Sequence, residues 1–312
     1  MKNKILLLLI VISSTFCVDS YAQQESQYTQ YMYNTLSFNP AYAGQRDVLS
    51  VVGLHRSQWV GLDGAPRTQT LTLHSPIGMS EKIGLGLSIV NDEIGPTHET
   101  NFDLAFSYKL QLSENNYLSF GLKAGGHLLD VALTELNAQT SGDVLLQNDI
   151  INRFSPNFGV GLYLRHADKW YLGLSVPNFL ETKHFDSASI SEAKERMHFY
   201  LMGGYVFDLS DTVKFKPAVL VKAVKGAPLS ADITGNFLLF DKLTLGAAYR
   251  WDAAFSGLAG FQISDKLMIG FAYDRETTDL GNTQFNDGSY EVFLRFELFN
   301  NKIGRLVSPR FF

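Results

Sequence analysis

Phe102-Asp103-Leu104-Ala105-Phe106-Ser107-Tyr108-Lys109-Leu110-Gln111-Leu112 alternates without a break. Every even position is large and apolar, and every odd position is small or polar. A period of two sends successive side chains to opposite faces of a strand, so this stretch has one apolar and one polar face. The pattern recurs downstream. Leu118, Phe120, Leu122 and Ala124 alternate with Ser119, Gly121 and Lys123; Trp170, Leu172, Leu174 and Val176 alternate with Tyr171, Gly173 and Ser175. Leu243, Leu245, Ala247, Tyr249 and Trp251 oppose Thr244, Gly246, Ala248 and Arg250, and Tyr290, Val292, Leu294, Phe296 and Leu298 oppose Glu291, Phe293, Arg295 and Glu297. By this criterion about fourteen strands lie between residues 47 and 299.

The connections sort into two kinds. After even-numbered strands they are short and chemically alike: Met79–Lys82, Ser113–Asn116, Ala167–Lys169, Ser210–Thr212, Asp241-Lys242 and Ser264–Lys266. After odd-numbered strands several are long: Trp59–Pro66, Asn91–His98, Asp130–Phe154, Asn178–Glu195 and Arg275–Asn286. Short turns on one rim and long loops on the other characterise bacterial outer-membrane barrels, with the short turns in the periplasm. A secreted β-sandwich also alternates, but strands of about 10–13 residues suit a tilted bilayer crossing. The polar faces are rich in glycine and mixed charge (Lys109, Lys123, Arg165, Lys214, Lys216, Lys222, Asp232, Arg250, Asp274), as a lumen requires. Tyr117, Trp170, Phe207 and Phe240 stand beside turns, where an interfacial girdle is expected. The expected fold is an all-β antiparallel transmembrane barrel of about fourteen strands, with both termini in the periplasm and a short plug-like segment at its N-terminal end.

The chain has 312 residues and opens Met1-Lys2-Asn3-Lys4, followed by the apolar run Ile5–Ile12 and Ser20-Tyr21-Ala22. This is the layout of a secretory signal peptide over 1–22. The apolar run is too short for a membrane anchor, and Phe16 before Cys17 is too bulky for a lipoprotein signal. Cleavage after Ala22 removes the sole cysteine, which excludes disulfides and thiol chemistry from the mature chain. It leaves 24 basic and 30 acidic residues once Lys2, Lys4 and Asp19 are gone. That acidic balance lacks the basic stripe of a nucleic-acid binder. Residues 23–46 do not alternate. Tyr28, Tyr31, Met32 and Leu36 fall at helical spacing and Asn39-Pro40 would stop a helix, so a short helix or irregular packed segment is expected.

Catalytic and ligand motifs are scarce. The seven histidines are scattered without the paired spacing of a metal site, and no Gly-x-Ser-x-Gly elbow occurs. Gly84-x-Gly86, Gly159-x-Gly161 and Gly203-Gly204 lie inside strands, so they read as relief of crowding on the inner face and not as phosphate loops. The reading contains no enzyme, no cofactor and no metal. Inner charges either line a pore or pair across the wall.

The stretches Gln30-Tyr31-Met32-Tyr33-Asn34, Asn39-Pro40-Ala41-Tyr42-Ala43-Gly44 and Arg56-Ser57-Gln58-Trp59-Val60-Gly61-Leu62-Asp63-Gly64-Ala65-Pro66-Arg67-Thr68-Gln69-Thr70 come in order. They are followed by Asn91–Pro96, Leu174–Asn178, Lys216-Pro217, Val224–Pro228, Tyr249-Arg250-Trp251 and Ser308-Pro309-Arg310-Phe311-Phe312. As an ordered set they resemble the PorP/SprF family of the type IX secretion system of Bacteroidota. Trp251 departs from the small or polar residue expected there. The resemblance implies an outer-membrane component of secretion or gliding machinery, with exported adhesins bearing a C-terminal sorting domain and periplasmic ring lipoproteins as partners. The expected organisation is signal peptide 1–22, an N-terminal periplasmic or lumen-packed segment 23–46, barrel 47–299 and periplasmic tail 300–312. Candidate partner-binding residues are Trp59, Asp63 and Arg67 in the first long loop. Tyr28, Tyr31, Met32, Tyr33 and Tyr42 are the candidate plug, and Arg310, Phe311 and Phe312 a candidate periplasmic contact. The alternative is a porin-like channel or hydrophobic-ligand transporter with an N-terminal plug. A plainer reading of Trp59–Arg67 is a tight loop that caps the barrel.

Overall fold

The computed structural model describes residues 26–135, 148–180, 196–283 and 286–298. The leader, the tail with Arg310, Phe311 and Phe312, and the middles of the loops Asp130–Phe154 and Asn178–Glu195 lie outside these. The strands are β1 (Leu49–Ser57), β2 (Arg67–Ile77), β3 (Ile83–Ile94), β4 (Thr97–Gln111), β5 (Asn116–Val131), β6 (Ile150–His166), β7 (Trp170–Val176) and β8 (His198–Tyr205). They continue as β9 (Phe207–Ser210), β10 (Val213–Val224), β11 (Ser230–Leu239), β12 (Leu243–Arg250), β13 (Ala254–Ser264), β14 (Leu267–Glu276) and β15 (Ser289–Leu298). Neighbours pair antiparallel all the way round, and β15 pairs with β1 from Leu49↔Leu298 to Ser57↔Tyr290, closing the wall. Closure satisfies every ladder and leaves no edge, the condition for crossing a bilayer with strands.

β8 and β9 are two pieces of one stave, so the barrel has fourteen. The break at Val206 has a cause in the neighbouring strand. β10 pairs with β8 up to Ala218↔Gly204 and resumes with β9 at Phe215↔Phe207. Between them stands Pro217, which has no N–H to donate to the ladder. The register is the same on both sides of the gap, so Val206 keeps the inward phase between outward Tyr205 and Phe207.

The faces fall as the alternation predicts. Leu104, Leu122 and Leu174 are 66%, 60% and 50% exposed, whereas Ser107, Ser119, Lys216 and Glu291 are buried. An apolar face turned outward over a polar interior is the inverse of a soluble sheet protein, and it fits lipid on the outside.

Three expectations are corrected. Asn91–His98 is not a long loop: β3 and β4 run up to a two-residue turn, Gly95-Pro96, with Gly95 at φ +55°. The polar run Asn91-Asp92-Glu93 continues the strand above the apolar band. Trp251 is not part of a strand face, because β12 ends at Arg250 and Trp251 enters the turn to β13, 62% exposed. Tyr117 has the inward phase of Ser119 and Gly121, and its ring lies 5.0 Å from the Arg165 guanidinium inside the wall instead of in an outer girdle. Of the two readings of the segment before β1 the irregular packed one fits: it is a 3-10 turn (Tyr31–Tyr33), a single α turn (Thr35–Phe38) and another 3-10 turn (Pro40–Tyr42). Asn39 ends the α turn, and its side chain accepts from the Ala41 N–H to cap the next turn.

Candidate functional site

The polar interior and the segment Tyr28–Asp47 complete each other. On β1 the inward phase is Ser50, Val52, Leu54 and Arg56, so Arg56 is carried to the inside near the long-loop end. There it donates to Asp274 Oδ2 of β14 (2.6 Å), Glu291 Oε2 of β15 (3.1 Å) and Thr29 Oγ1 (2.9 Å). Glu291 in turn accepts the backbone N–H groups of Thr29 (2.9 Å) and Gln30 (2.8 Å), and Thr29 Oγ1 donates to Asp274 Oδ2 (2.6 Å). Two acids, one guanidinium and two peptide N–H groups thus form one closed network with almost no water access. Such groups are expensive to bury unless fully paired.

A second clamp holds the other end of the segment. Arg46 forks onto Glu297, Nε to Oε1 at 2.6 Å and Nη2 to Oε2 at 3.1 Å. Asp47 bridges Lys109 Nζ (2.7 Å) and Arg165 Nη2 (3.1 Å), both near the short-turn ends of their strands. Between the clamps the contact is aromatic and close. Tyr33 stacks on Phe293 with centroids 4.5 Å apart, Tyr42 meets Tyr163 edge-on at 5.4 Å, and Phe38 meets Tyr200 at 5.3 Å. The Asn39 amide donates to Leu162 O (2.9 Å), and Ser107 and Ser175 donate to the carbonyls of Ala43 (2.6 Å) and Phe38 (2.7 Å).

Two wall glycines are required by this approach. A methyl group on Gly121 would overlap the Ala41 backbone nitrogen, and one on Gly161 would overlap the Asn39 amide oxygen. The Pro40-Ala41 backbone runs directly over these positions, which explains why the inner face is glycine-rich where it is.

The first long loop, residues 58–66, lies over the opposite rim. Trp59 sits in the left-handed region at φ +46°, held by its Nε1 donating to Glu276 Oε1 (2.9 Å) and its N–H donating to Ser289 Oγ (3.2 Å). Val60 exchanges backbone bonds with Gly288 and Asp287, and Gly95 N donates to Gly64 O. Asp63 and Arg67 are exposed and line one hollow on the outer flank with His55, Gln69 and Glu93. Of the three residues expected to bind a partner, Asp63 and Arg67 share a surface, and Trp59 is a tether to the β14–β15 connection.

A family model described as type IX secretion system membrane protein PorP/SprF matches residues 20–296. The chain belongs to that family. It is an outer-membrane β-barrel of the type IX secretion system. No curated relative matches it. Among solved structures it is similar to the CymD monoaromatic hydrocarbon channel, at 11% identity and TM-score 0.51, over 90% of this chain and 95% of that one. It is also similar to Omp33 of Acinetobacter baumannii (8%, TM-score 0.48, 80% and 98% covered) and to a Pseudomonas aeruginosa FadL homologue (13%, TM-score 0.44, 85% and 94% covered). The CymD likeness bears on the fold alone.

All five aromatic and methionine residues singled out in this PorP/SprF chain (Tyr28, Tyr31, Met32, Tyr33 and Tyr42) pack against inward-facing wall residues. The charges that fix the segment (Arg46, Asp47 and Arg56) escaped the sequence reading. Arg56 was detectable, because it stands in phase with Val52 and Leu54 on the inward face of β1. Arg46 and Asp47 precede the alternation and carried no such signal. Among the described residues no group of three or more His, Cys, Asp or Glu is placed to hold a metal.

Proposed function

We propose that this PorP/SprF barrel acts through protein–protein contacts, assisting export or surface anchoring of large adhesins that carry a C-terminal sorting domain. In this reading the leader 1–22 is cleaved, the short-turn rim faces the periplasm and the long-loop rim faces outward. Residues 23–46 plug the lumen. The outer loops, with Asp63 and Arg67, meet the exported partner. The tail, with Arg310, Phe311 and Phe312, meets the ring lipoproteins of the secretion machinery on the periplasmic side.

The observation that carries the reading is the dense packing of Tyr28–Asp47 against the inner wall, with Arg46 and Asp47 ion-paired at one end and Thr29 and Gln30 hydrogen-bonded to buried carboxylates at the other. A passive channel needs a wet lumen, and closely packed side chains do not provide one. Deleting the gene is expected to leave bulk outer-membrane composition intact and remove one or a few large surface proteins. An unchanged surface proteome refutes the proposal, and a steady, sizeable conductance of the purified protein in planar bilayers returns the channel reading.

A further inference from the structure

Counting strands places Leu49 and Leu298, the two ends of the wall, on the short-turn rim. It says nothing about the residues that precede β1, and these travel a long way. Asp47 meets Lys109 and Arg165, which stand two and one residues from the short-turn ends of β4 and β6. Arg46 holds Glu297, one residue from the end of β15. Going back along the chain, Gly44 N donates to His74 Nδ1 (3.1 Å), three residues from the short-turn end of β2. Asn39 then reaches Leu162 and Leu174, in the middle of the wall. Thr29 and Gln30 bond to Glu291, the third residue of β15 from its long-loop end. Tyr28 Oη pairs with Thr70 Oγ1 at 2.7 Å, the fourth residue of β2 from that same end. Ser26 lines a hollow with Asp92, Glu99 and Asn178, all at the long-loop ends of their strands or just beyond them.

One strand serves as a ruler for this path. Between Glu297 and Glu291 the anchors climb six residues of β15, about 20 Å along the strand. We infer that the segment threads the lumen from end to end, entering β1 at the short-turn rim and delivering the amino end of the chain to the mouth that carries the long loops. The amino end then joins the long loops at the face proposed to meet the exported partner, and it stands on the opposite side of the membrane from Leu298. Which side that is rests on the orientation in the proposed function; the threading does not.

The test uses single cysteines. Cys17 is the chain's sole cysteine and lies in the leader, so mature variants carry only the introduced thiol. Ser26→Cys, Gly61→Cys in the first long loop and Asp211→Cys in a short turn are exposed, in intact and in permeabilised cells, to a membrane-impermeant maleimide. Ser26→Cys is expected to label in the same condition as Gly61→Cys and in the opposite condition to Asp211→Cys. Labelling of Ser26→Cys together with Asp211→Cys overturns the threading. Labelling of Asp211→Cys in intact cells, with Gly61→Cys protected, overturns the orientation and leaves the threading standing if Ser26→Cys still follows Gly61→Cys. Because Ser26 is half-buried, a protease site inserted ahead of it gives an independent reading. Cleavage in the same condition as a site inserted in the 58–66 loop supports the threading, and cleavage only together with a site at Asp211 refutes it.

Discussion

Gly121→Val tests whether the wall is shaped around the segment it encloses. The new side chain would overlap the backbone of Pro40 and Ala41. Restoring an ordinary contact of about 3.5 Å demands a retreat of the segment on the order of 1.5 Å. The neighbouring anchors tolerate little of that, since Asn39 to Leu162 O, Ser107 to Ala43 O and Gln45 Nε2 to Ser119 Oγ stand at 2.9, 2.6 and 2.6 Å. Overpacking a tight interior costs about 1–3 kcal/mol. Three buried hydrogen bonds stretched past use add about 1 kcal/mol each. The expected loss is therefore about 4–6 kcal/mol. Urea unfolding of the protein in lipid vesicles, followed by tryptophan fluorescence, measures it, since Trp59, Trp170 and Trp251 all lie on the wall or its connections. The control is Gly53→Val on β1, where a methyl group meets nothing within 4 Å. If the two variants unfold alike, or if Gly121→Val loses less than about 1 kcal/mol, the segment does not depend on that close approach and the reasoning fails.

Arg56→Met leaves Asp274 and Glu291 buried against each other, so about 3–5 kcal/mol of stability should go; adding Glu291→Gln should return part of it in the same urea titration, and strict additivity would show that the three do not act as one network. Leu104→Arg, on the lipid face, should cost about 2–4 kcal/mol near the midplane. Ser175→Arg should also be harmful, because Ser175 bonds to the Phe38 carbonyl at 2.7 Å and leaves no space for the longer chain; a neutral result would mean the lumen is wet there. Trp59→Phe removes the bond to Glu276 and should speed protease cleavage of the 58–66 loop while changing stability by only about 1 kcal/mol. Asp63→Lys with Arg67→Glu should leave folding intact and reduce surface display of the exported partner, read by surface proteomics.

The wall was legible because lipid on one side and packed polar groups on the other impose a strict period of two, as Phe102–Leu112 shows. Where that contrast fades, so did the reading. Above the apolar band both faces of β3 and β4 are polar, and Asn91–Glu93 looked like a loop although its ladder to Thr100–His98 continues. The break at Val206 depends on Pro217 in another strand, which no local pattern couples to it. Tyr117 stands near a turn, but its phase with Ser119 is the better guide to its face. In residues 26–46 the composition announces an aromatic packed segment, but its partners lie 27 to 262 positions away in the chain, and long-range pairing of that kind leaves no periodic trace.

Charge placement ties these pieces into one argument about the lumen. A water-filled barrel can leave inner charges to solvent, and its wall need not be neutral rung by rung. In this barrel the wall at the short-turn end supplies Glu297 with Lys109 and Arg165, and the segment answers with Arg46 and Asp47, each opposite its counter-charge. At the long-loop end the wall carries its own triad, and what the segment adds is neutral: Thr29 and two peptide N–H groups aimed at carboxylates. The two ends therefore differ in kind. The first takes ion-pair partners from the segment, and the second takes only hydrogen bonds. Withdrawal from the long-loop mouth would leave Arg56 paired with Asp274 and Glu291, whereas release at the short-turn rim would take the carboxylate partner from Lys109 and Arg165 and leave Glu297 to Arg295 alone. If the segment ever moves, the end at Tyr28–Gln30 is the one that lets go first.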